Sequence, residues 1–269
     1  MYNFTIILKE VIKLLLTVDM GNTNITIGAF DNDELRFVSR LSTIRGKTAD
    51  QYAIELKQIF KLNNASADSF SGSIISSVVP ELTETVSQTV GLVTGTKPMV
   101  VGPGIKTGIN ILIDNPAQLG ADLLVGAVAA VDKYPLPCFI VDLGTASKIS
   151  VVGKDASYRG GMIAPGVEVS LNALSSNASQ LPYISLTAPK KAVGTNTVDC
   201  MQSGIIFGSA AMVDGMIRRF RDEVPDVASV VATGGFSNCI IKHCRENIIH
   251  DDTLLLHGLK VIYEKNRKS

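Results

Sequence analysis

The stretches VDMGNTN (residues 18–24) and VDLGTAS (residues 141–147) share one pattern: an apolar run ends in Val-Asp, and a glycine follows two residues after the aspartate. An aspartate closing a buried strand, followed at once by glycine and small hydroxyl residues, reads as strand–turn–strand. Glycine lets the backbone turn sharply and approach a ligand closely, so that N–H groups can face phosphate oxygens. Thr23, Thr145 and Ser147 offer further donors. Asp19 and Asp142 cannot attract phosphate; a carboxylate there holds a cation or orients water beside the phosphate. A single D-x-G turn is usually a plain hairpin. Two copies, each opening one half of the chain, point to a clamp on the phosphates of a nucleotide.

Working outward from the first copy, residues 14–19 form a strand, and residues 25–30 and 35–39 form a hairpin joined by Asp31-Asn32-Asp33. Helical spacing of Tyr52, Ile54, Leu56 and Ile59 marks a helix over residues 48–62. A strand at 73–79 is stopped by Pro80, and a helix at 83–93, a strand at 99–101 and a glycine-rich loop at 102–108 follow. Asn115-Pro116 opens a long apolar helix reaching about Val131, with Asn115 as cap, Pro116 in the first turn and Gln118 completing a capping box. Tyr134-Pro135-Leu136-Pro137 breaks the chain, and the order then repeats: a strand at 138–142, a strand at 148–152 and a glycine turn at Gly160-Gly161. The pattern is α/β with two domains, 1–135 and 136–269. Residues 1–13 stand ahead of the first clear strand as an extra helix or strand, or as the product of an upstream start.

The 25 basic residues are balanced by 25 acidic ones, so there is no basic field to draw nucleic acid or an anionic membrane. No apolar run approaches membrane-spanning length and no cleavage site follows the N-terminus, which places the protein in the cytoplasm. Cys138, Cys200, Cys239 and Cys244 fit neither a disulfide framework nor a zinc knuckle, and His243, His250 and His257 lack known ligand spacing.

The residue with the sharpest chemistry is Asp122, the one charged side chain from Pro116 to Val131. A lone carboxylate on a buried-type helix is costly unless paired or functional. A carboxylate so placed is a candidate general base, and Gly120 beside it permits close ligand approach; the alternative is a structural hydrogen-bond partner. Gly234-Gly235, after the apolar strand 229–231, is either a strand-to-helix turn or a close approach to a nucleoside. The loop 102–108 lacks Walker spacing, which leaves Lys106 solvated, and Gly204-x-x-x-Gly208 reads as close helix packing.

Motifs at consistent order and spacing from Leu14 to Asn266 identify a family. They are DMGNTN (19–24), TADQY (48–52), SSVVP (76–80), DNPAQLGAD (114–122), DLGTAS (142–147), GGMIAPG (160–166), NTVDCMQSG (196–204) and ATGG (232–235). The chain resembles the type III pantothenate kinases of the actin, Hsp70 and sugar-kinase superfamily. The resemblance implies two ribonuclease-H-like (actin-like) domains with an ATP cleft between them, and phosphorylation of pantothenate as the first step of coenzyme A synthesis. It assigns ATP to Asp19, Gly21, Asn22, Thr23, Asn24, Ile25 and Thr26, with Thr145, Gly234 and Gly235, and magnesium to Asp19, directly or through water. It assigns a monovalent cation, potassium or ammonium, to Asp142, and proton acceptance from the terminal hydroxyl of pantothenate to Asp122. Gly120, Ala121 and Asp122 line the acceptor site, with Thr197 from the other protomer of a homodimer.

Four positions depart from the family pattern: Leu123 stands where an Arg is common, Ile113 where a Tyr is common, and Ser147-Lys148 where two threonines are common. Leu123 and Ile113 fall on the acceptor side, where loss of one charge-assisted hydrogen bond costs about 1.5–3 kcal/mol. They leave open a catalytically weak paralogue acting as a transcription accessory factor, or a kinase with a different acceptor. Lys106 and Arg159 are the candidates to replace the missing Arg. Lys148 either supplements phosphate or metal binding or points outward.

Overall fold

A computed structural model describes residues 13–267. The expectation for residues 1–13 therefore falls, all but Lys13, outside the described residues. The chain divides into two compact units, one ending at Gly104 and the other starting at Ile105.

The first unit is a five-stranded sheet of β1 (Leu14–Met20), β2 (Asn24–Asp31), β3 (Glu34–Ser42), β4 (Phe70–Ser77) and β5 (Met99–Val100), in the order β3-β2-β1-β4-β5. Strands β1 to β3 are antiparallel, and β4 and β5 add in parallel beside β1. Two helices, α1 (Ala49–Leu62) and α2 (Pro80–Thr94), fill the connections. Side-chain alternation sends Leu14, Leu16, Val18 and Met20 of β1 to these helices, against Tyr52, Leu56, Val86 and Val90. By the same period of two, Asp19 points to the opposite face.

The TADQY motif proves to be local architecture. Thr48 and Gln51 form a capping box at the start of α1, and the Tyr52 hydroxyl donates to the Ile44 carbonyl at 3.1 Å while accepting from the Ile44 amide at 2.8 Å. Those bonds pin the segment between β3 and α1. Pro80, expected to stop a strand, also opens α2 at the position where a missing N–H costs nothing.

The second unit begins with β6 (Asn110–Ile111) and α3 (Ala121–Lys133), followed by the strands β7 (Cys138–Leu143), β8 (Ala146–Val152) and β9 (Ser157–Pro165). Next come α4 (Val167–Asn177), α5 (Thr197–Gln202), a π-helical turn at Ser203–Phe207 and α6 (Gly208–Glu223). The chain then forms β10 (Ser229–Thr233), α7 (Ser237–Ile240), β11 (Ile249–His250) and α8 (Leu254–Arg267). The sheet runs β11-β10-β7-β8-β9-β6. Apart from β6, this is the order and direction of the first sheet, with β7 in the place of β1. Two mixed sheets of this kind with helical connections are the two-domain actin-like α/β fold.

The second sheet is covered on both faces. Phe139, Val141, Leu143, Ile149 and Val151 pack against α4 to α6, while Cys138, Ile140, Val152 and Val231 pack against α3 and α8. That second layer explains why the units divide at Gly104 rather than at the proline break expected near 135–137. Helix α3 buries Ala127, Ala129 and Ala130 in the same cluster as β7, and Gly258 of α8 lies so close to it that an added Cβ would sit 2.1 Å from the Val125 carbonyl oxygen.

Three local expectations change. The helix from Asn115 is broken: Asn115 caps only a short 3-10 turn, Pro116–Gln118, and α3 restarts after Gly120, with no capping box through Gln118. Gly160-Gly161 is not a turn but the middle of β9, where Gly160 has φ +118° and a Cβ on Gly161 would lie 2.0 Å from the Ile149 carbonyl oxygen. Gly204 and Gly208 face open space, so close helix packing falls to Gly258 instead. One continuous helical stretch, Thr197–Glu223, is long and apolar enough to cross a membrane. Its Met201, Ile205, Ile206, Val213 and Ile217 are buried in the second unit's core, which accounts for the apolar composition.

Candidate active site

In the second unit the alternation of β7 and β8 sets the chemistry. Ile140 and Val152 belong to the α3 side of the sheet, so Asp142 and Lys148 face that side too. The two residues are direct cross-strand partners in the β7–β8 ladder. Asp142 therefore projects toward α3, and Asp122, in the first turn of α3, meets it there.

Lys148 joins them. Its Nζ lies 2.5 Å from Asp122 Oδ2 and 2.7 Å from Asp142 Oδ2, and the three side chains are only 14–17% exposed. Asp122 Oδ1 turns back to accept the Leu123 amide at 2.8 Å, a carboxylate at a helix N-terminus where backbone N–H groups have no intrahelical partner. A Cβ on Gly120 would stand 2.6 Å from that same oxygen, so the glycine leaves room for the carboxylate itself. The lone charge on an apolar helix is thus ion-paired, and Lys148 points inward.

Burial pushes the Asp142 carboxyl above its usual range, and the charge on Asp122 adds to this against the opposing pull of Lys148. Burial alone would lower the Lys148 ammonium, but Asp142 and Asp122 together outweigh it and hold it above its usual range. Tyr158, 4% exposed, completes this corner: its hydroxyl lies 3.4 Å from Ser150 Oγ, and burial together with the negative charge of Asp122 raises its phenol.

The Gly234 turn reaches the same corner. Gly234 has φ +95°, and a Cβ there would lie 2.6 Å from Asp142 Oδ1 and 2.7 Å from the Leu143 carbonyl oxygen. Phe236 N donates to Leu143 O at 2.9 Å, which locks the turn after β10 against the turn after β7. From the other side, Gly166 at the start of α4 donates its amide to the Thr145 carbonyl at 3.1 Å. Thr145 itself is exposed.

In the first unit, Asp19 pairs across β1–β2 with Thr26. The intervening turn is held by Gly21 N to Asn24 O at 2.9 Å and by Thr43 Oγ1 to Gly21 O at 2.7 Å. Asn22, Thr23 and Asn24 are exposed, while the Ile25 side chain is buried in the core, so Ile25 can meet a ligand only through its backbone. A surface hollow lined by Lys57, Phe60, Lys61 and residues 64–67 sits at the far end of α1 and shares no residue with this turn.

The remaining expectations separate. Leu123 and Ile113 both pack against the apolar cluster that includes Ile140 and Tyr158. Arg159 is engaged by Asp155 at 3.2 Å near the β8–β9 turn, and Lys106 lies near the end of α8, its backbone bonded to Asn266. Thr197 is exposed at the start of α5, on the face of the sheet opposite α3. No metal-ligating cluster of His, Cys, Asp and Glu occurs among the described residues. His243 stacks edge-on to Phe207, His250 bonds Ser237, and His257 bonds Asp132.

The type III pantothenate kinase family model matches residues 15–219. The chain belongs to that family. A type III pantothenate kinase from Exiguobacterium sp. strain AT1b is 43% identical over 256 residues, spanning 95% of this chain and all of the relative. Among solved structures, a protein from Campylobacter jejuni named as a Baf family transcriptional activator superposes with a TM-score of 0.60 at 18% identity, covering 94% of this chain and all of that one. A ROK hexokinase from Thermus thermophilus gives 0.51 at 12% identity, covering 95% of this chain and all of that one. Identities this low establish the shared fold alone.

Proposed function

We propose that this chain carries out the reaction of its family, ATP-dependent phosphorylation of pantothenate, with Asp122 as the proton acceptor. The single observation that carries the reading is the position of Asp122: a fixed, ion-paired carboxylate at the start of α3, beside the turn that ends β7. In the transfer, the terminal hydroxyl oxygen of pantothenate forms a bond to the γ-phosphorus. The bond from that phosphorus to the bridging oxygen of ADP breaks, and the hydroxyl proton passes to an Asp122 oxygen. Such transfers depend on positioning and on neutralising phosphate charge more than on covalent catalysis.

The exposed turn of Asn22, Thr23 and Asn24 suits the backbone and hydroxyl donors that phosphates require, and the resemblance gives Thr145, Gly234 and Gly235 a nucleotide contact as well. Asp19, beside Thr26, fits magnesium directly or through water; bound there, the ion would neutralise charge on the β- and γ-phosphates. A homodimer supplying Thr197 to the acceptor site is favoured by the placement of Thr197 on the wrong face of its own sheet to serve Asp122. A cytoplasmic enzyme without nucleic-acid or membrane partners agrees with the balanced charge of 25 basic against 25 acidic residues.

The acceptor side is apolar where the family carries Arg and Tyr, so pantothenate should bind weakly, or a less polar acceptor should compete. The test is incubation of the protein with ATP, magnesium and pantothenate, with phosphopantothenate read by mass spectrometry. Product should form with the wild type and fall by about 10²–10⁴ with Asp122→Asn. Product at the level of that variant would sink the reading, and ATP turnover only with another acceptor would redirect it.

A further inference from the structure

The cation assigned to Asp142 by resemblance does not fit the residues present. The carboxylate oxygen that would coordinate it is 2.7 Å from the Lys148 ammonium. The same nitrogen is 2.5 Å from Asp122, so a positive charge already bridges the two acidic groups. We propose that the ammonium of Lys148 is a built-in substitute for the monovalent cation, so that this chain works without added potassium or ammonium ions.

The chemistry of the head group supports the exchange. A lysine side chain ends in an alkylated ammonium ion, with the single positive charge of potassium or ammonium and hydrogen-bond donors in place of an ion's coordination sphere. Its stem rises from β8 directly opposite Asp142, so the charge is delivered by the sheet register and needs no binding equilibrium. All three side chains are mostly screened from water, where a neutralising charge is most effective and an uncompensated one most costly. The first unit supplies the contrast: the residue opposite Asp19 is Thr26, which brings a hydroxyl and no charge. In this role Lys148 is a positioning residue. It holds Asp122 and Asp142 side by side as carboxylates and fixes the orientation of the Asp122 carboxylate.

The proposal takes its rate measurement from the kinase reading, while a second measurement, thermal melting, does not depend on it. The full-length protein is assayed in a tetramethylammonium buffer, then with potassium or ammonium chloride added. The wild-type rate should change by less than about twofold, and its Tm should be no higher in potassium than in the same concentration of tetramethylammonium. Lys148→Met keeps most of the apolar stem and removes the charge. Its rate without potassium should fall at least about tenfold, return when potassium or ammonium is added, and be matched by a potassium-dependent rise in Tm. A wild type that potassium activates about tenfold or more, with a matching rise in Tm, would overturn the proposal. So would a Lys148→Met enzyme indifferent to cations, or one that no cation restores. If Lys148→Met fails to fold, the wild-type titration decides alone. If no phosphopantothenate forms under any condition, the kinase reading fails and the wild-type and variant melts still decide the role of Lys148.

Discussion

The two hairpins that open the two units are one structure carrying different charges. In both, an aspartate lies at the C-terminal end of a central strand, flanked by an antiparallel partner on one side and a parallel strand on the other. In the first, Asp19 faces Thr26 across a turn of exposed polar residues. In the second, a turn one residue shorter brings Lys148 opposite Asp142, and Gly234 and Gly166 crowd in from both sides. The same fold therefore yields an open polar turn in one place and a closed, internally neutralised one in the other. What a motif can bind depends on the residue across the ladder as much as on the motif itself.

The closed turn should be the more fragile. At Gly234 an added methyl meets Asp142 Oδ1 at 2.6 Å and the Leu143 backbone at 2.7 Å, in a backbone conformation at φ +95° that side chains disfavour. Gly234→Ala should destabilise by about 3 kcal/mol through strain and overlap. Gly21→Ala places its methyl 3.2 Å from the Asn24 carbonyl oxygen at an ordinary φ, and should cost less than about 1 kcal/mol. Urea unfolding of both variants measures the difference, and equal costs would mean that the two turns are not as unlike as they look.

The second unit also differs in its additional helical layer, which Asp251 fastens. Its Oδ2 accepts from Lys133 Nζ at 2.6 Å and from the Tyr134 hydroxyl at 2.7 Å, and its Oδ1 accepts the Thr253 amide at 3.1 Å ahead of α8. Burial works to raise the carboxyl, but the bonds from Lys133, Tyr134 and Thr253 prevail and hold it below its usual range. A group depressed on folding contributes stability above its unfolded pKa of about 3.9, and the contribution is lost as pH falls through the lower folded value. Asp251→Asn should cost about 2 kcal/mol at neutral pH. The gap in Tm between wild type and variant should narrow once the pH drops below about 4. A gap constant with pH would show that the carboxylate charge is not what holds α3 to α8.

Most of the strand framework was legible from alternation and from the paired V-D-x-G turns, because a half-buried strand writes its face into the sequence. The helix from Asn115 was not, since its cap, proline and apolar pattern are equally satisfied by a 3-10 turn and a fresh start after Gly120. Nor was the unit boundary, because α3 reads the same whichever sheet it covers. At the site, Asp122 stood out as a lone charge, while its partner did not: Lys148 lies 26 positions away, and only the register of β7 against β8 brings it opposite Asp142. The signal that could have found it was available in the first hairpin, where the position across from Asp19 is occupied by Thr26.

That correspondence gives the most direct comparison of the two hairpins. Thr26→Lys places an ammonium opposite Asp19 in the register that Lys148 has opposite Asp142. If Asp19 serves magnesium and the phosphates, the new charge competes for its carboxylate. KM for magnesium-ATP should then rise about tenfold, roughly 1.4 kcal/mol, with KM for pantothenate little changed. Raising magnesium should recover part of the loss, because a metal ion and an ammonium contend for one carboxylate. An unchanged KM for magnesium-ATP in a folded variant would remove Asp19 from the metal's surroundings. The division between an open, metal-served turn and a closed, lysine-served one would then have to rest on the second hairpin alone.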